Sequence, residues 1–324
     1  MSTPLSAASA TPPRAGRSAF ADDVEYYLSQ VPRQLPSRYF YDDLGSALFE
    51  AICRLPWYPI TRTEQSLLRR YGAAIFARLG AVSNLVELGP GGGAKLATLL
   101  ANRPPLPLSV HLVDVSRAAL DSASRTLTLD PSLDVVRHQA TYEAGLDAIS
   151  AARPAGERTL VLFLGSNIGN FDPPGAAAFL RGLRSSLVPG DALLLGVDLV
   201  KPVRDVLLAY DDPLGVTAAF NRNLLVRVNR ELGGDFDVEA FDHRAVWNAD
   251  ASRIEMHLVS RQAQTVRVPA ARLAVDFAAG ESIWTESSYK FTAEGVLALL
   301  GRAGFHATEH WIANTFALTL AEAR

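Results

Sequence analysis

The chain has 324 residues, of which 48% are hydrophobic and 20% charged, so it can bury a large core and reads as globular. A net charge of −3, with no basic stripe along any expected helix, gives no basis for a nucleic-acid partner. The single cysteine, Cys53, stands among apolar neighbours and reads as a buried thiol; internal disulfides are excluded, and no apolar run is long enough for a membrane span.

In chain order, residues 1–20 are rich in Ala, Ser, Thr and Pro, carry no acid, and lack the apolar core of a secretion signal. They read as a frayed tail. Thr61 and Glu64 are spaced as a capping box for a helix over 61–79, with Leu68, Tyr71, Ile75 and Leu79 on its apolar face. Strands are then expected near 84–88, 109–114, 133–138, 159–164 and 192–197, alternating with helices near 94–101, 117–126, 142–151 and 174–187. Strands this apolar should be buried on both faces, as a parallel sheet requires, and the alternation makes a doubly wound α/β domain. The pattern breaks after Lys201-Pro202. A helical region runs through Arg230 to Gly233-Gly234, and the sequence then turns β-rich. Segments 241–247 and 253–261 alternate around Asn248-Ala249-Asp250, a hairpin signature, and short strands fit 265–268, 272–277 and 283–287. The α/β pattern resumes with a helix at 293–303 and strands at 308–312 and 315–320. The expected domains are therefore 61–201 plus 290–324, and an α+β domain of 21–60 plus 202–289.

The residues that point to chemistry begin at Leu85-Val86-Glu87-Leu88-Gly89-Pro90-Gly91-Gly92-Gly93, followed further on by His111-Leu112-Val113-Asp114. A buried strand, a glycine turn, a helix and a second strand ending in a carboxylate suit a nucleoside ligand. Glycines allow close backbone approach, the helix presents free N–H groups, and Asp114 can accept from a ribose diol. A dinucleotide loop would read G-x-G-x-x-G; here Gly89, Gly91 and Gly93 alternate and the strand carries Glu87, which resembles motif I of class I S-adenosylmethionine-dependent methyltransferases. Lys95 can reach a cofactor carboxylate or be a solvated helix residue. Phe163-Leu164-Gly165-Ser166-Asn167-Ile168-Gly169-Asn170 follows the fourth expected strand, and Asn170 could position an amine or a carboxylate, a plain turn being the alternative. His306, Glu309 and His310 match H-x-x-E-H, but that zinc motif needs a helix, and here it follows Gly304-Phe305 into an expected strand, so no metal is expected.

Further stretches carry a broader resemblance: Tyr39-Phe40-Tyr41-Asp42, Leu55-Pro56-Trp57-Tyr58, Thr61-Arg62-Thr63-Glu64, Ala209-Tyr210-Asp211-Asp212, Arg253-Ile254-Glu255-Met256 and Thr285-Glu286-Ser287-Ser288. With the loop at 163–170, they make the chain, from about Asp22 almost to its end, similar to the S-adenosylmethionine-dependent L-histidine Nα-methyltransferases that make hercynine for ergothioneine biosynthesis. The resemblance implies a Rossmann-like class I methyltransferase domain with a second, α+β substrate-binding domain built from the N-terminal segment and the insertion. It implies S-adenosylmethionine as cofactor and L-histidine as the small-molecule substrate. Carried over by position, Tyr58, Asn170 and Tyr210 would hold the α-carboxylate and amine, and Glu286 and Ser288 the imidazole. Met256 would shape the side-chain pocket, although core packing with Ile254 and Leu258 is its default, and Tyr41 would lie near the amine, so that Asn170 and Tyr41 carry the catalytic role. Glu87, Gly89, Gly91, Lys95, Asp114, Thr141 and Tyr142 form the expected cofactor set. The chain departs from the family at Ala140-Thr141-Tyr142, where Gly-Asp-Phe would supply an acid to the adenine, and in the glycine loop, where G-S-G-T is usual. Altered rather than lost cofactor affinity is expected. An Nα-methyltransferase for another amino acid, such as tryptophan or a derivative, and a catalytically silent S-adenosylmethionine-binding relative are the other readings. A cytoplasmic monomer is expected, with no nucleic-acid or membrane partner.

Overall fold

The computed structural model describes residues 18–324, Leu129 and Pro131 excepted. Of the expected tail, residues 1–17 lie outside the described residues. Ser18 caps helix α1 (Ala19–Leu28) by accepting from the Ala21 N–H, so Ala19 and Phe20 are helical and Phe20 is buried. Strand β1 (Arg33–Gln34) follows, then α2 (Asp43–Ile52), capped by Asp42. Cys53, at the end of α2, is half-buried rather than enclosed. Helix α3 (Ile60–Leu79) starts one residue earlier than expected, with Pro59 as its cap and no side-chain cap bond. The expected capping box is therefore not formed: Glu64 is fully buried and its carboxylate turns inward.

The alternating segment is β2 (Asn84–Leu88), α4 (Ala94–Leu100), β3 (Leu108–Asp114), α5 (Arg117–Leu127), β4 (Leu133–Gln139), α6 (Tyr142–Ala152), β5 (Thr159–Phe163), α7 (Pro173–Ser185) and β6 (Ala192–Asp198). Next come α8 (Val203–Tyr210), α9 (Val216–Leu232), β7 (Phe241–Asn248), β8 (Arg253–Ser260), β9 (Gln264–Val268), β10 (Leu273–Phe277) and β11 (Ser282–Tyr289). The chain closes with α10 (Ala293–Arg302), β12 (Phe305–Ala313) and β13 (Phe316–Ala323). No helix among the described residues is long and apolar enough to cross a membrane.

These elements form two compact units. One comprises Pro59–Gly169, Pro173–Val200 and Lys290–Arg324, and is built on a seven-stranded sheet of order β12-β13-β6-β5-β2-β3-β4. Strands β6, β5, β2, β3 and β4 run parallel, and β13 and β12 add antiparallel. Every residue of β2, β5 and β6 is buried, which their unbroken apolar runs dictate. The expectation of two-sided burial fails at β4: it is the sheet's edge, and none of its residues is fully buried. The strand order reverses about β2, which lies between β3 and β5, and a parallel sheet opens its ligand crevice at such a point, beyond the strands' carboxyl ends.

The other unit comprises the described residues up to Tyr58, with Asn170–Asp172 and Lys201–Tyr289. Its sheet has order β1-β11-β8-β7, with α8 and α9 packed on it and the β9-β10 hairpin separate. The expected hairpin around residues 248–250 is β7 and β8, paired from Phe241↔Ser260 to Asn248↔Arg253. Strand β11 pairs antiparallel with β8, and its register shifts between Trp284 and Glu286.

Candidate functional site

In the seven-stranded unit, glycine builds the crevice beyond β2. Gly89, Gly91 and Gly93 have φ of 74°, 53° and 77°, a region that costs glycine little. A Cβ on Gly89 would meet the Tyr142 hydroxyl and Asn167 Nδ2, each at 2.9 Å, whereas one on Gly93 would strike the α5 backbone at Ala123 Cα, also at 2.9 Å. Gly93 thus lets α4 pack on α5, and Gly89 leaves open backbone facing two polar side chains. Tyr142 is held there by edge-on packing against Phe163 and Phe179, at 5.5 and 6.0 Å.

Glu87 on β2 is 1% exposed, and neither of its carboxylate oxygens has a hydrogen-bond partner. Burial pushes its carboxyl up to about 8, with the Lys95 ammonium opposing and the Glu64 and Asp114 carboxylates adding to the rise. Asp114, at the end of β3, accepts from the Ser116 N–H at 2.8 Å; burial raises its carboxyl while the backbone donors oppose. Ser116 itself caps α5, accepting from Ala119. Thr141 caps α6 by accepting from the Ala144 N–H at 3.3 Å, so its hydroxyl oxygen already serves the fold.

Glu64 is the hub of this half. Its oxygens accept from the Gly165 N–H at 2.8 and 2.9 Å, and the Lys95 ammonium lies 2.9 Å from Oε2. A side chain at Gly196 would run into the same carboxylate. Glu64 therefore ties α3, α4 and the loop after β5 together through charge-assisted bonds. That loop turns through two left-handed residues, Gly165 (φ 75°) and Ser166 (φ 61°), and Ser166 Oγ accepts from the Asp198 N–H at 3.0 Å. A non-glycine residue in this region costs of order 1–3 kcal/mol, which the surrounding bonds must offset.

In the four-stranded unit, a run of rings leads to a polar wall. Tyr41 packs on Phe49 (5.6 Å between centroids), Phe49 on Tyr58 (6.3 Å), and Tyr58 on Tyr210 (6.3 Å). The Tyr210 hydroxyl, at the last residue of α8, donates to Ser288 Oγ at 2.9 Å. Glu286 lies two residues before Ser288 and so on the same face of β11, and Met256 is directly opposite Glu286 on β8. Glu286 is 8% exposed, Ser288 4% and Met256 1%. Asn170 ends the short helical turn Asn167–Asn170 and groups with this unit.

Every residue expected to hold the amino acid (Tyr41, Tyr58, Asn170, Tyr210, Met256, Glu286 and Ser288) falls in the four-stranded unit. Every residue expected to hold the cofactor (Glu87, Gly89, Gly91, Lys95, Asp114, Thr141 and Tyr142) falls in the seven-stranded one. Sequence reasoning missed Glu64, Asn167 and Phe49. Glu64 was hidden by a spacing that fits a cap, and Phe49 by its place in an ordinary amphipathic helix. Asn167 has a signal, since two asparagines follow β5, but the sequence pattern alone does not say that it, as well as Asn170, faces the site.

A profile of the family described as "Histidine-specific methyltransferase, SAM-dependent" matches residues 20–323. The chain belongs to this family. The histidine N-alpha-methyltransferases of Mycolicibacterium smegmatis and Mycobacterium tuberculosis are 47% and 44% identical to it, over 94% and 95% of this chain and 94% and 96% of theirs. Ergothioneine biosynthesis protein 1 of Neurospora crassa is 29% identical over 86% of this chain and 32% of that longer protein. As in any SAM-dependent methyltransferase family, the methyl donor is S-adenosylmethionine, and the crevice fits it. Glu87 offers an orphaned, buried carboxyl that a cationic ligand group would draw into its charged form, and Gly89 leaves the space that a Cβ would fill.

Proposed function

We propose that this chain transfers methyl groups from S-adenosylmethionine to the α-amine of L-histidine, up to the trimethylammonium of hercynine, in ergothioneine biosynthesis. The observation that carries this reading is the face of β11, where Glu286 and Ser288 are buried side by side, Met256 stands opposite, and Ser288 is tied to Tyr210.

When bound, S-adenosylmethionine supplies a methyl group on a positively charged sulfonium, so the leaving group departs neutral and needs no acid. The chain's task is then to hold an unprotonated amine in line, and such positioning supplies roughly 7–11 kcal/mol of the barrier in favourable cases. In this reading Asn170 and Tyr41 orient the amine, while Tyr58 and Tyr210 hold the α-carboxylate. An amine facing a sulfonium has its pKa lowered, because a nearby positive charge disfavours the ammonium. Glu286 accepts the imidazole N–H with Ser288 beside it, and Met256 flanks the ring. A ligand without that N–H cannot donate to the buried carboxylate, and sites built to hydrogen-bond a substrate group discriminate by on the order of 10⁴ or more. On the donor's side, Glu87 would take the ammonium, Lys95 the carboxylate and Asp114 the ribose diol, with Gly89, Gly91, Thr141 and Tyr142 completing the set that would hold the rest of the cofactor.

Incubation with S-adenosylmethionine and each amino acid separately, read by mass spectrometry, tests the proposal. Histidine gaining three methyl groups is the expected outcome. Methylation of tryptophan-like substrates alone, or of none, overturns it.

A further inference from the structure

The face of β11 that carries Glu286 and Ser288 depends on an irregularity. Trp284 is opposite His257, yet Glu286, two residues on, is opposite Met256, one residue on, so Thr285 is the extra residue of a bulge. Without it, continuous pairing would set Glu286 against Glu255 and Ser288 against Arg253, on the other face of the sheet, because a one-residue slip inverts every side chain. The bulge is thus what turns the candidate imidazole contacts toward Met256.

A buried polar relay holds that bulge. The Thr285 hydroxyl donates to Asn221 Oδ1 at 2.7 Å and approaches the Met256 carbonyl at 3.0 Å. Asn221 on α9 is fully buried; its Nδ2 donates to the His257 carbonyl at 3.1 Å and lies 2.9 Å from His243 Nδ1. His243 Nε2 lies 2.8 Å from the carbonyl of Tyr210, the last residue of α8. A carbonyl only accepts, so Nε2 carries the proton and Nδ1 accepts from Asn221. This ordering fixes both the imidazole tautomer and the orientation of the amide, and it satisfies a helix-end carbonyl that has no partner within the helix. The relay joins two parts of the candidate substrate site: the backbone that presents the Tyr210 hydroxyl, and the bulge that presents Glu286 and Ser288.

We infer that Asn221, His243 and Thr285 are positioning residues for substrate selection, holding Glu286 and Ser288 in register with Tyr210 without touching substrate themselves. This rests on histidine being the substrate. The test uses Thr285→Val, which removes the hydroxyl at nearly constant volume, and Thr285→Ser, which keeps it. KM for histidine should rise 10- to 100-fold in Thr285→Val with a smaller change in kcat, and return to within about threefold of the parent in Thr285→Ser. Calorimetric affinity for S-adenosylhomocysteine should stay unchanged in both. A second pair guards against misfolding: His243→Gln can accept from Asn221 and donate to Tyr210 as the neutral imidazole does, so it should keep a near-parental KM, whereas His243→Leu should lose it. An unaltered KM in Thr285→Val, or equal loss of histidine and S-adenosylhomocysteine binding in Thr285→Val and His243→Leu, overturns the inference. A parent protein that does not methylate histidine would instead overturn the functional reading.

Discussion

Glu286 and Glu87 are both buried acids, yet they are placed for different work. Glu286 shares its strand face with Ser288, opposite Met256, whereas neither oxygen of Glu87 is bonded. Hydrogen bonds to a charged group contribute roughly 1.5–3 kcal/mol, or about 10- to 150-fold in affinity. Glu286→Ala should therefore raise KM for histidine within that range and leave S-adenosylhomocysteine affinity unchanged by calorimetry; retained histidine preference would remove Glu286 from the imidazole site. Glu87→Gln should do the reverse, weakening S-adenosylhomocysteine by about tenfold or more, and parental affinity would remove Glu87 from the donor's ammonium. Single residues were the least legible part of the sequence. Glu64 sits at a capping-box spacing, but its partners, Lys95 and Gly165, are distant in the chain, so no local pattern could announce them. Thr141 stands where the related family carries an acid, and it works as a helix cap.

Elements were far more legible, because unbroken apolar runs and glycine turns act locally. The run before Gly89 gave β2, and the alternation around residues 248–250 gave the hairpin of β7 and β8. Strand β4 is legible as a strand but not as an edge: Val135 and Val136 look like core, and only the sheet order reveals that they lie on an edge. The bulge in β11 had no signal at all, since the pairing partner decides it. The glycine turn gives a prediction at this scale. Gly93→Ala combines a left-handed φ, which costs an ordinary residue about 1–2 kcal/mol, with a collision against the α5 backbone. Gly91 has φ 53° with nothing within 4 Å of an added Cβ, so Gly91→Ala incurs only the first cost. Urea denaturation should show Gly93→Ala to be the less stable by at least a further ~1–3 kcal/mol, the usual cost of overpacking; equal midpoints would refute the close helix approach.

Across the whole molecule, opposing titrations set where the fold is most stable. The Glu87 carboxyl lies at about 8 when folded against an ordinary 4.5, so the native state keeps a proton that the unfolded chain releases. That contribution is complete below pH 4.5 and disappears as pH climbs to about 8. Burial lowers His111, His138, His243 and His310 from 6.5, so their neutral forms stabilise the fold above that value and cease to do so as pH falls below it. The urea midpoint should peak at about pH 6–7 and decline on both sides, and Glu87→Gln, which removes a contribution that fades between pH 4.5 and about 8, should flatten the alkaline side and steepen the acid side above pH 4.5. A midpoint that rises steadily from pH 6 to 9 in the parent would contradict this. The pairing of β1 with β11 carries a different consequence. Arg33 donates to Glu281, 248 positions later, and the Arg33–Gln34 strand runs parallel beside Ile283 and Trp284. On the ribosome, at about 5–20 residues per second, the emerging N-terminal segment waits roughly 12–50 s for that neighbour to be synthesised. Until then Leu35, destined for the interior, lacks the Trp284 carbonyl to which its backbone N–H donates. Newly made copies are therefore exposed to holding chaperones, and to sticking to one another, at that stage above all.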